Sequence, residues 1–162
     1  METSSYPNRL QVLGALLQVA DRRGIRVETS PSPPVKTRVI GLYRPRTKTL
    51  PPRVWVSSKL STRDGVEILA HEIAHDVLHR FGEGRRFAEV APMKRSQRSR
   101  VEELLADRVA RLTTDALGFP GPRWNRRYRL FGFTPEQAAE IRELIEERAQ
   151  LAALRLLADA PY

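Results

Sequence analysis

A chain of 162 residues without a single cysteine excludes disulfides, iron–sulfur clusters and thiolate zinc sites, so any metal must be held by histidine and carboxylate. Its 28 basic residues against 19 acidic ones leave a net charge of +9, which raises non-specific affinity for nucleic acid and acidic partners without specifying a site. No run approaches the roughly 18 apolar residues of a membrane span, and the first residues lack a signal peptide's basic start and apolar stretch, so a single cytoplasmic domain over 1–162, with no membrane partner, is expected.

From Arg9 to Arg22, Leu10, Leu13, Leu16, Leu17 and Ala20 recur at helical spacing, and Gly24 follows as a stop. Ile25 to Thr29 alternates like a short strand until Ser30-Pro-Ser-Pro-Pro34 breaks it. Thr37 to Tyr43 reads as a second strand, 44–52 as a turn and Arg53 to Ser57 as a third strand. An edge strand beside a catalytic site can hold an extended peptide by β-addition, and 53–57 is the candidate for that role, an ordinary core strand being the equal alternative.

The next helix is expected to start at Ser61, whose hydroxyl can cap the first turn while Asp64 adds favourable charge, and to end at Gly82. Leu69, Ile73, Leu78 and Phe81, with Ala70, Ala74 and Val77, supply its apolar surface. It carries His71-Glu72-Ile-Ala-His75. Two histidines four apart on a helix are displaced by about 6 Å along the axis and about 40° around it, so both imidazoles can reach one ion. Neutral imidazole suits Zn²⁺, and three protein ligands that leave a fourth position to water make such a site catalytic. Zinc lowers the pKa of bound water to about 7, and a neighbouring carboxylate can take its proton during attack on a carbonyl. Glu72 is therefore the candidate general base. The chain's three histidines all fall between 71 and 79. His79 lies about 12 Å along the axis from His71, too far to join the same ion from a straight helix; it reads as a supporting, helix-end or surface residue.

Residues 84–100 carry Arg85, Arg86, Lys94, Arg95, Arg98 and Arg100 against one acid, Glu89. They read as a solvated loop with the charge to touch phosphates. Ser99-Arg-Val-Glu102 has the form of a capping box, which would occupy Glu102 and leave Glu103 free. Glu103 and Asp107 then share one helix face, the first as third metal ligand and the second as a hydrogen-bond partner that orients a ligating histidine. Glu102 remains the alternative ligand.

His71-Glu-Ile-Ala-His75-Asp-Val-Leu-His79 followed by Glu103-x-x-Ala106-Asp107-Arg-Val-Ala110 resembles the ImmA/IrrE group of small gluzincin-type metallopeptidases. The continuation through Leu117-Gly-Phe119 resembles the zincin domain of ArdC-type antirestriction proteins. The resemblance covers roughly 36–119. It implies a zinc site of two histidines and a glutamate with a water-activating glutamate, in a bacterial or mobile-element setting; with the elements read from the residues, the expected fold is an α+β zincin-like domain of an N-terminal helix, a short three-stranded sheet, the His-Glu-x-x-His helix, a glutamate helix and a C-terminal helix. The resemblance also implies a zinc metalloendopeptidase acting on a regulatory protein, such as a DNA-bound transcriptional repressor. The ArdC-like likeness implies instead a nucleic-acid-binding or antirestriction protein with a structural metal. The chain departs from both groups in leaving no room for a helix-turn-helix or single-strand-binding domain, and in placing Arg111-Leu-Thr-Thr-Asp115 where a Leu-Leu-Met-Pro-like segment is common.

In the connection 118–133, Arg123, Arg126, Arg127 and Arg129 interleave with Trp124 and Tyr128, a composition able to stack on bases and pair with phosphates. Thr134-Pro-Glu-Gln137 opens the last helix, expected over 134–158, with a capping box and a proline at its first position. Ile141, Ile145, Leu151, Leu154 and Leu157 form its apolar stripe. No residue stands out as the oxyanion donor; Tyr43, Tyr128 and several arginines are eligible.

Overall fold

The computed structural model describes residues 9–119 and 130–161. Within them the fold is α+β: α1 (Arg9–Arg22), β1 (Arg26–Ser30), β2 (Gly41–Arg44), β3 (Arg53–Ser57), α2 (Thr62–Arg80), α3 (Glu83–Phe87), α4 (Arg95–Ala116) and α5 (Pro135–Leu157). None of the described helices is long and apolar enough to cross a membrane. The arginine and aromatic residues of 123–129 lie outside the described residues.

The helix α1 has the expected bounds but a rotated face. Val12, Leu16, Val19 and Ala20 are buried, while Leu10 and Leu17 face solvent. Gly24 then takes φ 69°, a left-handed conformation that glycine adopts without a Cβ clash, and turns the chain into β1.

The sheet has the order β1-β3-β2, with β1 parallel and β2 antiparallel to β3. This corrects the assignment of 53–57 as an edge. β3 has a partner on each side, and Val54, Trp55 and Val56 are buried, so its backbone has no row of free groups to offer a peptide. The second strand is shorter than 37–43. Its register pairs Gly41 with Val56 and Arg44 with Arg53, so the five residues of β3 limit how far pairing can run.

The helix α2 is the element the others enclose, packing against α1, β2, β3, α3, α4 and α5. Ser61 caps it by accepting from the Asp64 N–H at 3.2 Å, and Gly82 takes φ 61° just past its end. Apolar residues bury it almost all round, as expected of a central helix. Phe81 is the exception, half exposed beneath the Arg155 guanidinium, 3.6 Å from its ring centroid.

The basic stretch 84–100 is not one solvated loop. Phe87 is buried in α3, and Glu83, only 1% exposed, receives two hydrogen bonds of 2.6 and 2.7 Å from Arg148 of α5. A buried carboxylate needs such partners, and this fork ties α3 to the far end of the chain. α4 begins four residues before Ser99. Its first turn is closed by Gln97, whose Oε1 accepts from the Lys94 N–H at 2.8 Å while Nε2 donates to Phe131 O at 3.0 Å. Glu102 is thus inside the helix and not part of a cap.

In α5 the capping box holds: Thr134 Oγ1 accepts from the Gln137 N–H and Gln137 Oε1 accepts from the Thr134 N–H. Its buried face is Ile141, Ile145, Ala149, Ala152, Ala153 and Leu156, whereas Leu151 and Leu154 are exposed. Alanines at the contact let α5 lie close against α4 and α2.

Candidate metal centre

His71 and His75 project from successive turns of α2 toward α4, where Glu103 meets them. The His71 and His75 Nε2 atoms are 3.1 Å apart. Glu103 Oε2 lies 3.0 Å from His71 Nε2, and Glu103 Oε1 lies 3.3 Å from His75 Nε2. One donor atom from each residue can be chosen so that all lie within 4.8 Å of one another, a group able to hold a metal ion. The α2–α4 packing creates this convergence. Val66, Leu69, Ile73, Val77, Val101, Leu105 and Val109 share the same buried core and fix the register in which Glu103 meets the histidines.

Behind His71, Asp107 Oδ1 lies 2.6 Å from Nδ1, the nitrogen pointing away from the cluster. The four-residue step from Glu103 to Asp107 lets one α4 face touch both nitrogens of the same ring. The ring is 5% exposed, and burial alone would lower its pKa. The contacts with Asp107 and Glu103, and the charges of Asp107 and Glu72, outweigh burial and push it up to about 9. Burial would likewise raise the Glu103 carboxyl, but His71 and His75 hold it well below the usual carboxylate range. Without a metal, the cluster therefore holds a proton strongly.

Glu72 is 8% exposed and lies under β2. A Cβ placed on Gly41 would come 2.8 Å from Glu72 Oε1 and collide with Ile68 Cγ2, so the bare glycine backbone leaves this carboxylate its room. β2 therefore passes beside the candidate base. Its far edge carries no strand among the described residues, which makes it, rather than β3, the edge strand next to the cluster.

His79, on the last turn of α2, is exposed and sits edge-on to the Tyr43 ring at 6.4 Å, away from the three-residue cluster. Tyr43 also stacks on His75, with centroids 6.2 Å apart and ring planes 11° from parallel. Its hydroxyl donates to Asp76 Oδ1 at 3.0 Å and is thereby engaged, which argues against Tyr43 as an oxyanion donor. Burial, reinforced by the Asp76 charge, holds this phenol above its usual pKa. Tyr128 lies outside the described residues.

Asp76 is a buried neighbour of the cluster that the sequence reading did not single out. It is fully buried one residue after His75 and receives bonds from Tyr43, from Arg23 Nε at 3.2 Å and from Arg80 Nε at 3.1 Å. A carboxylate in this position would be costly alone; three donors satisfy it and lock the ring that stacks on His75. A local signal was present: Asp76 interrupts an apolar run, and Arg80 follows at the four-residue spacing of a helical ion pair.

Comparison of the chain with protein-family models, with curated proteins and with solved structures yields no match.

Proposed function

We propose that this protein is a zinc-dependent metallopeptidase of zincin-like architecture that hydrolyses a peptide bond in a regulatory protein, such as a transcriptional repressor, in stress response or mobile-element control. The observation that carries this reading is the convergence of His71, His75 and Glu103 from two helices, with Glu72 buried beside them on the same turn as His71 and Asp107 behind its ring. Two imidazoles and one carboxylate fit Zn²⁺ and leave a coordination position open, the donor set of a catalytic rather than a structural site.

His71, His75 and Glu103 would hold the ion, which, when bound, polarises a carbonyl and acidifies a water. Glu72 accepts the proton of the attacking water and returns it to the leaving amine. Asp107 keeps the His71 ring oriented with Nε2 toward the cluster. Gly41 leaves Glu72 in reach, and the open edge of β2 is where an extended substrate would add as a strand.

The test is mass spectrometry of protein termini in host cells expressing wild type or Glu72→Gln, both checked for zinc. A new terminus produced by wild type alone establishes the peptidase and names its substrate. Identical termini with both proteins zinc-loaded would overturn it.

A second reading, a nucleic-acid-binding or antirestriction protein with a structural metal, draws on the exposed Arg85, Arg86, Lys94, Arg95 and Arg98. It requires salt-dependent binding that falls when Lys94, Arg126 and Arg127 are neutralised together.

A further inference from the structure

Beside the metal cluster, on the side of the C-terminal half of α2, lies a cavity of about 510 Å³. His75 of the cluster and Tyr43 line it, and Leu78, Ala88 and Leu105 give it apolar walls. From His75 to Gly82, another lining residue, is about 10 Å along the helix axis, the reach of one long side chain with a little backbone. Gly82 and Gly84 contribute no side chain, which keeps the cavity open.

Three charged residues line it: Arg85 on α3, and Arg98 and Glu102 on α4. Several arginines elsewhere are committed to carboxylates. Arg148 and Arg86 hold Glu83, Arg108 holds Glu146, and Arg23 and Arg80 hold Asp76. Arg85 and Arg98 differ, since neither is ion-paired with any described residue. Arg98 and Glu102 are four apart on α4, the spacing at which an ion pair forms readily, yet they do not pair. Glu102 instead lies over Gly84, where an added Cβ would crowd its Oε1. The cavity thus has apolar walls, two arginines against one carboxylate, and His75 of the cluster among its lining residues.

We infer that this cavity is the specificity pocket of the proposed peptidase and takes a carboxylate carried by the substrate next to the scissile bond. Arg85 and Arg98 bind it and Glu102 tempers its affinity. Guanidinium recognises carboxylate by paired hydrogen bonds, and the methylenes of a glutamate match the apolar walls. The carboxylate comes either from an acidic side chain or from a chain end. The inference rests on the peptidase reading for the word substrate, but the pocket can be tested by binding alone.

The experiment is calorimetric titration of zinc-loaded Glu72→Gln with short peptides that differ only in carrying Glu, Gln or Lys at one position. Each peptide is made with an amide and with a free carboxyl end, and wild-type hydrolysis of the same set is followed in parallel. Glu should bind at least about tenfold tighter than Gln, with Lys weakest. Arg85→Ala combined with Arg98→Ala should abolish the preference while leaving the amidated Gln peptide unchanged, and Glu102→Gln should tighten the Glu peptide. Preference for Glu in the amide series identifies the side chain as the source; preference only for free ends identifies the terminus. Binding that is the same for Glu and Gln and also the same for amide and free ends, no binding at millimolar peptide, or a preference that survives the double arginine variant would overturn the pocket. Carboxylate-selective binding without hydrolysis by wild type removes the peptidase and keeps the pocket, whereas hydrolysis without selectivity does the reverse.

Discussion

On the proposed function, zinc and a proton compete for His71, and the competition sets a measurable pH dependence. The buried ring, held between Asp107 and Glu103, has its pKa raised from 6.5 to about 9 in the metal-free protein. A basic group raised on folding stabilises the fold fully below its unfolded pKa. That contribution fades as pH climbs from about 6.5 through 9, and a lift of this size is worth about 3 kcal/mol. A metal needs the neutral ring, so binding displaces the proton throughout this window. Apparent zinc affinity should therefore rise about tenfold per pH unit between 7 and 9 for one displaced proton, then level off. Metal-free stability should fall over the same range. At fixed free zinc, two pH units are worth about 2.7 kcal/mol, and a chain of this length converts each kcal/mol to about 2–4 °C. The zinc-induced increase in Tm should thus grow by about 5–10 °C from pH 7 to 9. Calorimetric melts in zinc buffers of defined free concentration read this directly. An increment that stays constant or shrinks with pH would refute the view that His71 holds both the proton and the metal.

Glu103→Ala should weaken zinc binding more than about 100-fold, Asp107→Asn by about 10–100-fold and Glu102→Ala by at most a few-fold, as measured by competition with a chelating dye. If Glu102→Ala were the costlier change, the third ligand would move by one residue. Gly41→Ala inserts a methyl against Ile68 and Glu72, and should cost about 1–3 kcal/mol in denaturant unfolding while lowering hydrolysis with zinc retained; unchanged stability would mean that β2 does not press on Glu72. Glu83→Ala strands Arg148 and should cost about 3–5 kcal/mol in the same assay.

What the sequence disclosed was local. Ser61 with Asp64, and Thr134 with Gln137, fix helix starts through bonds spanning three residues, and both are where the letters place them. His71 and His75 could be grouped because one helical period faces them toward one point, whereas Glu103 was chosen over Glu102 through a capping box at Ser99 that α4, starting at Arg95, does not contain. What stayed hidden depends on distant partners. The central position of β3 is set by pairing with strands on both sides, and the burial of Glu83 by Arg148, 65 residues on. Lys94 gave no sign of a helix start because its side chain is not the cap; Gln97, reaching back to the Lys94 N–H, supplies the bond. The faces of α1 and α5 were read only in part: Leu16, Ala20, Ile141 and Ile145 are buried as expected, but Leu10, Leu17, Leu151 and Leu154 are exposed, and Val12, Val19 and a series of alanines complete the packing.

The fork between Glu83 and Arg148 also orders events in time. At about 5–20 residues per second, Arg148 is synthesised roughly 3–13 s after Glu83. Through that interval α3 carries an acid with no arginine from α5 to receive it, and α4 has no α5 to pack on. Until α5 has been synthesised, the α2–α4 pair that gathers His71, His75 and Glu103 is without the helix that packs on both of its members.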